Sequence, residues 1–210
     1  MCGRFALWSD NNRLISHYGL AAAPEFNRGY NIAPSGHIPV IRLDPDKELA
    51  LCQWGFIPHW ARDTKLKPIN AKAESIGEKP YFRNAFRRRR CLIPANGYFE
   101  WKPVNGRKQP YFIRLKEADL LSFAGVWSSW QGPDGAIESC AIITTAACDD
   151  LAWIHHRMPA IIEPDDHAAW LHEGGGGLLR PCSEDMEACR VSERVNNPRN
   201  QGEALVRPLP

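Results

Sequence analysis

Apolar positions follow two different periods along this chain. Between residues 10 and 19, Leu14, Ile15 and Tyr18 share one helical face, with Asp10 or Asn11 available as a cap and Gly19 as a stop. Short runs rich in β-branched and aromatic residues recur at 38–43, 49–54, 91–99, 111–115, 121–127 and 140–145. Gly, Pro, Asn and Asp punctuate these runs, which predicts strands. Two further helices are predicted over 149–154 and 164–172, the second with Pro164 in its first turn, where a missing N–H is harmless. Strands clustered mid-chain with peripheral helices predict an α+β fold. The segment 173–178 holds four consecutive glycines and predicts a mobile surface loop rather than a domain boundary. There is no internal repeat, so a single domain over 1–210 is expected.

Composition narrows the class. With 44% hydrophobic and 24% charged residues in 210, the chain can bury one sizeable core. No apolar run approaches the roughly 20 residues of a spanning helix, and the start lacks the layout of a signal peptide, so a cytoplasmic protein with no membrane partner is expected. Seven cysteines, Cys2, Cys52, Cys91, Cys140, Cys148, Cys182 and Cys189, include no CxxC pair, which argues against a disulfide framework or a zinc site. A net charge of +2 is weak, but its distribution is uneven. Arg83 and Arg87 to Arg90, with Lys65, Lys67 and Lys72 upstream, form a basic stretch, while acids gather near Asp149, Asp165 and Glu184 to Glu187.

The chemistry begins at the second residue. Methionine is removed when the next side chain is small, so the mature chain is expected to start at Cys2, with an α-amine and a thiol as a 1,2-aminothiol. At neutral pH an α-amine is roughly 300-fold richer than lysine in its nucleophilic form. It can attack an aldehyde, and the adjacent thiol can close the imine to a five-membered thiazolidine at high effective concentration. On the dipeptide alone, the plainer reading of Cys2 is a small buried residue or merely the place where translation began.

Three other stretches bear on this. Glu100 lies among aromatic residues in a predicted strand, where burial would raise its pKa and suit it to proton transfer, or where it sits on a solvated face. His155 and His156 follow a predicted helix and precede Arg157; imidazole titrates near neutrality and guanidinium matches phosphate, although adjacent histidines are often plain polar side chains. Asn70 and Asn31 each sit amid small or apolar residues, where either can simply form a turn.

Taken in order, these segments resemble the SRAP family, the so-called SOS-response-associated peptidases, abasic-site sensors that form thiazolidine crosslinks with DNA. The resemblance rests on Cys2-Gly3-Arg4-Phe5, Tyr30 to Pro34, Trp54 to Pro58 with Trp60, Ile69-Asn70-Ala71, Arg90 to Pro94 and Gly97 to Trp101. It continues through Phe123 to Trp127, Thr144-Thr145-Ala146, His155 to Pro159 and Val195-Asn196-Asn197. It implies a single SRAP-like domain with a central, mostly antiparallel, barrel-like sheet flanked by short helices. Cys2 would be the crosslinking nucleophile, Asn70 would position it and the sugar, and Glu100 would assist proton transfer or orient the amine. His155, rather than His156, would be the general acid–base. Arg4, Lys72, Arg83, Arg157 and Thr145 would contact phosphates, and Trp54 would stack on an exposed base.

Two positions depart from the family pattern: Lys72 stands where relatives often carry arginine, and Pro80 falls near a basic position. The partner implied is single-stranded DNA with abasic sites, and the protein is expected to be a monomer without cofactor or metal. Imine chemistry also permits β-elimination of the strand. Two other classes remain open from sequence: a cysteine autopeptidase or amidohydrolase using Cys2, and a non-catalytic DNA-binding module whose main feature is Arg87 to Arg90, a run that would otherwise be a basic strand edge.

Overall fold

Two sheets built from strands distant in sequence organise the computed structural model, which describes residues 2–172, 175–181 and 185–209. The strands are β1 (Phe5–Leu7), β2 (Gly29–Ile32), β3 (His37–Leu43), β4 (Lys47–Trp54), β5 (Asn70–Lys72) and β6 (Arg90–Ala95). They continue with β7 (Gly97–Val104), β8 (Arg107–Leu115), β9 (Leu121–Gly132), β10 (Gly135–Ala146), β11 (Arg157–Pro159) and β12 (Met186–Arg190). In the larger sheet the path β10-β4-β3-β6-β9 closes on itself, because β9 and β10 also pair along 135–142. The result is a five-stranded barrel, which leaves these strands without free edges. The second sheet runs β12-β8-β7-β1-β2. Among the described residues, the parallel pairings are those of β10 with β4 and β5. The mostly antiparallel, barrel-like α+β core expected from the resemblance is the architecture observed.

Short helices close the periphery. Helix α1 (Asn11–Tyr18) starts where the Asp10 carboxylate accepts the Arg13 N–H at 2.8 Å. It stops at Gly19, whose φ of 60° costs a glycine nothing. Its buried face carries Leu14 and Tyr18. Helix α2 (Pro80–Arg88) corrects the reading of the arginine run as a strand edge: Arg83, Arg87 and Arg88 are exposed helical residues, and only Arg90 enters a strand. Arg90 is buried and donates to the carbonyls of Phe86, Arg87, Trp170 and Leu171, tying α2 to the last helix, so it offers no DNA contact. Helix α3 (Asp149–Ala152) and helix α4 (His167–His172) are shorter than expected, with a 3-10 turn at Pro164–Asp166 ahead of α4. Of the predicted glycine loop, Glu173 and Gly174 lie outside the described residues, and Gly176–Leu178 forms a 3-10 turn.

The expected strand at 91–99 is two strands in two sheets. The change of sheet occurs at Asn96, whose Oδ1 accepts the N–H groups of Trp8 and Ser9 and whose Nδ2 donates to Ser9 Oγ and the Asp119 carbonyl. The next residue must be Gly97, since a Cβ there would lie 2.4 Å from the Phe112 ring and 2.7 Å from the Ile113 carbonyl. Both halves are apolar because both are buried, which hid the break. No described helix is long and apolar enough to cross a membrane.

Candidate functional site at the seam of the two sheets

Four segments deliver the residues that the sequence singled out. Cys2 precedes β1 of the smaller sheet and Glu100 lies in the middle of β7, while Asn70 opens β5 and His155 comes two residues before β11. Strands β5 and β11 both pair with β10, at 142–144 and 144–146 respectively, so this one barrel strand sets the spacing between Asn70 and His155.

Cys2 is fully buried in the chain that carries residue 1. Burial, and then the Glu100 carboxylate, push its thiol well above the ordinary range; a weak bond from Sγ to the Arg4 carbonyl at 3.9 Å offsets little of this. The Asn70 side-chain amide donates to the Cys2 carbonyl at 2.8 Å, and Asn70 Oδ1 is buried with no hydrogen-bond partner. Glu100 is buried at 4% exposure, as its aromatic context suggested. It acts electrostatically on both Cys2 and His155, so these three belong to one cluster.

His155 is half-buried, and desolvation holds its imidazole below the ordinary value while Glu100 pulls it back up. The Arg157 backbone N–H donates to His155 Nδ1 at 2.9 Å, and the neutral ring therefore carries its proton on Nε2. His156 is exposed and stacks on His155, ring centroids 4.4 Å apart, which favours His155 as the inward-facing member of the pair.

The residues implied to contact DNA divide. Lys72 and Arg83 are exposed. Arg4 is half-buried, its Nη1 donating to Asn31 Oδ1 at 2.7 Å and the Val195 carbonyl at 2.8 Å. Asn31 in turn donates to the carbonyls of Val195, Asn197 and Asn200, so this asparagine is a tether for the C-terminal segment, not a turn former. Arg157 is mostly buried, with both outer nitrogens on Glu74 and Nη2 also on the Thr144 carbonyl. Two assignments need correction. Trp54 is fully buried, its ring 5.3 Å from that of Phe5 and its Nε1 on the Ile69 carbonyl, so it has no free face for a base. Thr145 is likewise buried, and its neighbour Thr144 is the residue that meets Arg157.

Exposed aromatic surface near the cluster lies elsewhere. Trp153, two residues before His155, is 47% exposed, held by its Nε1 on the Asp150 carbonyl, with Lys102 Nζ 4.4 Å from its ring centroid. Trp101, beside Glu100, is half-buried and donates to Asn196 Oδ1 at 2.7 Å. Their adjacency in sequence to Glu100 and His155 was the available signal. Among the described residues no group of three or more His, Cys, Asp or Glu could hold a metal ion.

The profile of the family described as SRAP, SOS response associated peptidase, matches residues 1–198. The chain belongs to the SRAP family. This SRAP chain is 38% identical to "Abasic site processing protein YoqW" of Bacillus subtilis, over 98% of this chain and 99% of that one. It is 29% identical to "Abasic site processing protein HMCES" of Xenopus tropicalis, over 84% of this chain and 64% of that one. Among solved structures, a Bacteroides thetaiotaomicron protein superposes with a TM-score of 0.88 at 26% identity, covering 99% of the SRAP chain and all of its own.

Proposed function

We propose that this protein processes abasic sites, binding them in single-stranded DNA and capturing them covalently through Cys2 once residue 1 has been removed. The observation that carries the reading is the Asn70 bond to the Cys2 carbonyl, with Glu100 acting on the adjacent thiol. Relatives named abasic site processing proteins, aligned over nearly all of both chains, support the same substrate.

The chemistry follows from the groups present. His155 Nε2–H protonates the ring oxygen of the baseless sugar as the anomeric hydroxyl gives its proton to a base, and C1′ becomes an aldehyde. The Cys2 amine adds to that carbon and water leaves, giving an imine. The thiol then adds to the imine carbon and its proton ends on nitrogen, closing the thiazolidine with a net loss of one water. The thiol proton must be taken up as Sγ adds, and Glu100, the carboxylate that acts on this thiol, serves as the base for this last step. β-Elimination from the imine is the competing outcome and would make the protein an abasic-site lyase. Exposed Lys72 and Arg83 provide phosphate contacts, Trp153 provides a stacking surface, and the protein acts as a monomer.

Mass spectrometry of the mature protein with abasic single-stranded DNA should reveal a covalent adduct that Cys2→Ala abolishes; absence of adduct from the wild type overturns the reading. The family's description as a peptidase raises a hydrolase alternative. Self-cleavage by a cysteine peptidase needs a thiol shifted towards thiolate, whereas in the chain that carries residue 1 this one is shifted the other way. Steady turnover of peptides without aldehyde adducts would favour hydrolysis instead.

A further inference from the structure

The guanidinium of Arg157 is clamped. Glu74 takes Nη1 on Oε1 and Nη2 on Oε2, the latter at 3.0 Å, and the Thr144 carbonyl accepts a second bond from Nη2. Glu74 is part of the 3-10 turn Ala73–Ser75 that follows β5, and Arg157 is the first residue of β11. These two strands lie on opposite edges of β10 and both register on Thr144, which pairs with Lys72 on one side and Pro159 on the other. The ion pair therefore bridges across β10 at the point where the two segments share a residue.

Each segment carries one half of the site. Four residues before Glu74, Asn70 holds the Cys2 carbonyl; two residues before Arg157, His155 Nδ1 accepts the Arg157 N–H. We infer that Glu74 is a positioning residue: through Arg157 it fixes the spacing between Cys2 and His155 and holds His155 in the Nε2–H form. A bidentate Arg–carboxylate pair suits this because it sets both distance and plane. The guanidinium side chain is 10% exposed, so the clamp is shielded from the solvent screening that weakens surface pairs. Arg157 Nε is left buried without a hydrogen-bond partner.

The inference rests on His155 being the acid–base group of the proposed function. The charged and titratable groups that act on His155 are Glu100 from β7, the amino terminus of the chain and, on its own segment, His156, with the Arg157 backbone on Nδ1.

Long-range 1H–15N spectra of the free protein should place the His155 proton on Nε2 in the wild type and yield a tautomer mixture in Glu74→Ala. The rate of adduct formation should fall at least tenfold in Glu74→Ala, with its pH profile displaced, while affinity for abasic single-stranded DNA stays within twofold. Glu74→Asp should restore most of the rate. If Glu74→Ala does not fold, the isosteric Glu74→Gln carries the same measurements. A wild-type tautomer and pH profile in the folded variant would overturn the inference, and so would a marked rise in DNA affinity, which would make Glu74 a competitor for phosphate. Should the wild type form no adduct, the proposed function fails while the spectra still decide the positioning role.

Discussion

Asn70 Nδ2 donates to the Cys2 carbonyl at 2.8 Å, joining residues 68 apart in sequence and tying the start of the chain to the edge of the barrel. Only one end of the amide is used; Oδ1 is buried without a partner and is free to accept from a substrate hydroxyl or amine. Replacing Asn70 by Ala removes a bond with a net worth of about 1 kcal/mol but also frees the Cys2 backbone. Adduct formation should slow by roughly 10- to 100-fold, as expected for a nucleophile misplaced by about 1 Å, with little change in melting temperature. Timed gel analysis of both proteins would check this, and an unchanged rate would remove Asn70 from the site.

Thiol reactivity should follow burial. Cys91 and Cys140 are fully buried and pushed well above their ordinary values, and burial takes Cys52 up to about 12. Cys148 and Cys189 are only half-buried. With iodoacetamide at pH 7.5, peptide mapping should find Cys148 and Cys189 alkylated first among the described cysteines, and Cys2 among the slow group while residue 1 is attached. Rapid labelling of Cys2 in that form would contradict the burial described.

Trp54 tests the correction to the DNA-binding set. A folded Trp54→Phe variant loses the Nε1 bond to the Ile69 carbonyl and part of a buried ring, at a cost of about 1–3 kcal/mol in stability. Its affinity for single-stranded DNA should match the wild type within twofold by fluorescence anisotropy. Trp153→Ala should do the reverse: stability hardly altered, affinity lowered by about 1 kcal/mol or more if the exposed ring stacks a base.

Stability should depend on His167. Burial, and then the neighbouring His17, hold its imidazole down at about 4 against an ordinary 6.5. Between these values the unfolded chain binds more protons than the folded one, so stability falls as pH drops from 6.5 to 4. The loss should be about 2 kcal/mol once its partial exposure is allowed for. Urea titrations across this range should flatten in His167→Asn; an equal slope in the variant would rule the group out.

Much of the candidate site was legible because its chemistry is local. Cys2 owes its candidacy to its place in the chain, Glu100 to a carboxylate set among aromatic residues, and His155 to its segment. Glu100 is buried, as its aromatic context suggested, and His155 is the half-buried member of its pair. Trp54 and Thr145 were assigned by resemblance, which carries over a residue's type and place in a motif, whereas burial decides whether its side chain can be reached. The arginine run misled differently. Arg87 and Arg88 close a helix and Arg90 is consumed by carbonyl groups of α2 and α4, a partnership invisible in a row of like residues.

What the sequence determined by itself is whatever depends on neighbours within a few residues: the capped helix ending at Gly19, the apolar strand runs, and the reactive residue types. The tertiary structure alone decided the closure of the barrel through β9 and β10, the break at Asn96, the pairing of Glu74 with Arg157, and the meeting of Cys2 with Asn70. Local periodicity sets which face of a strand is apolar, but contacts between residues 68 or 83 positions apart depend on register and sheet order. Those are settled only when all the strands pack at once.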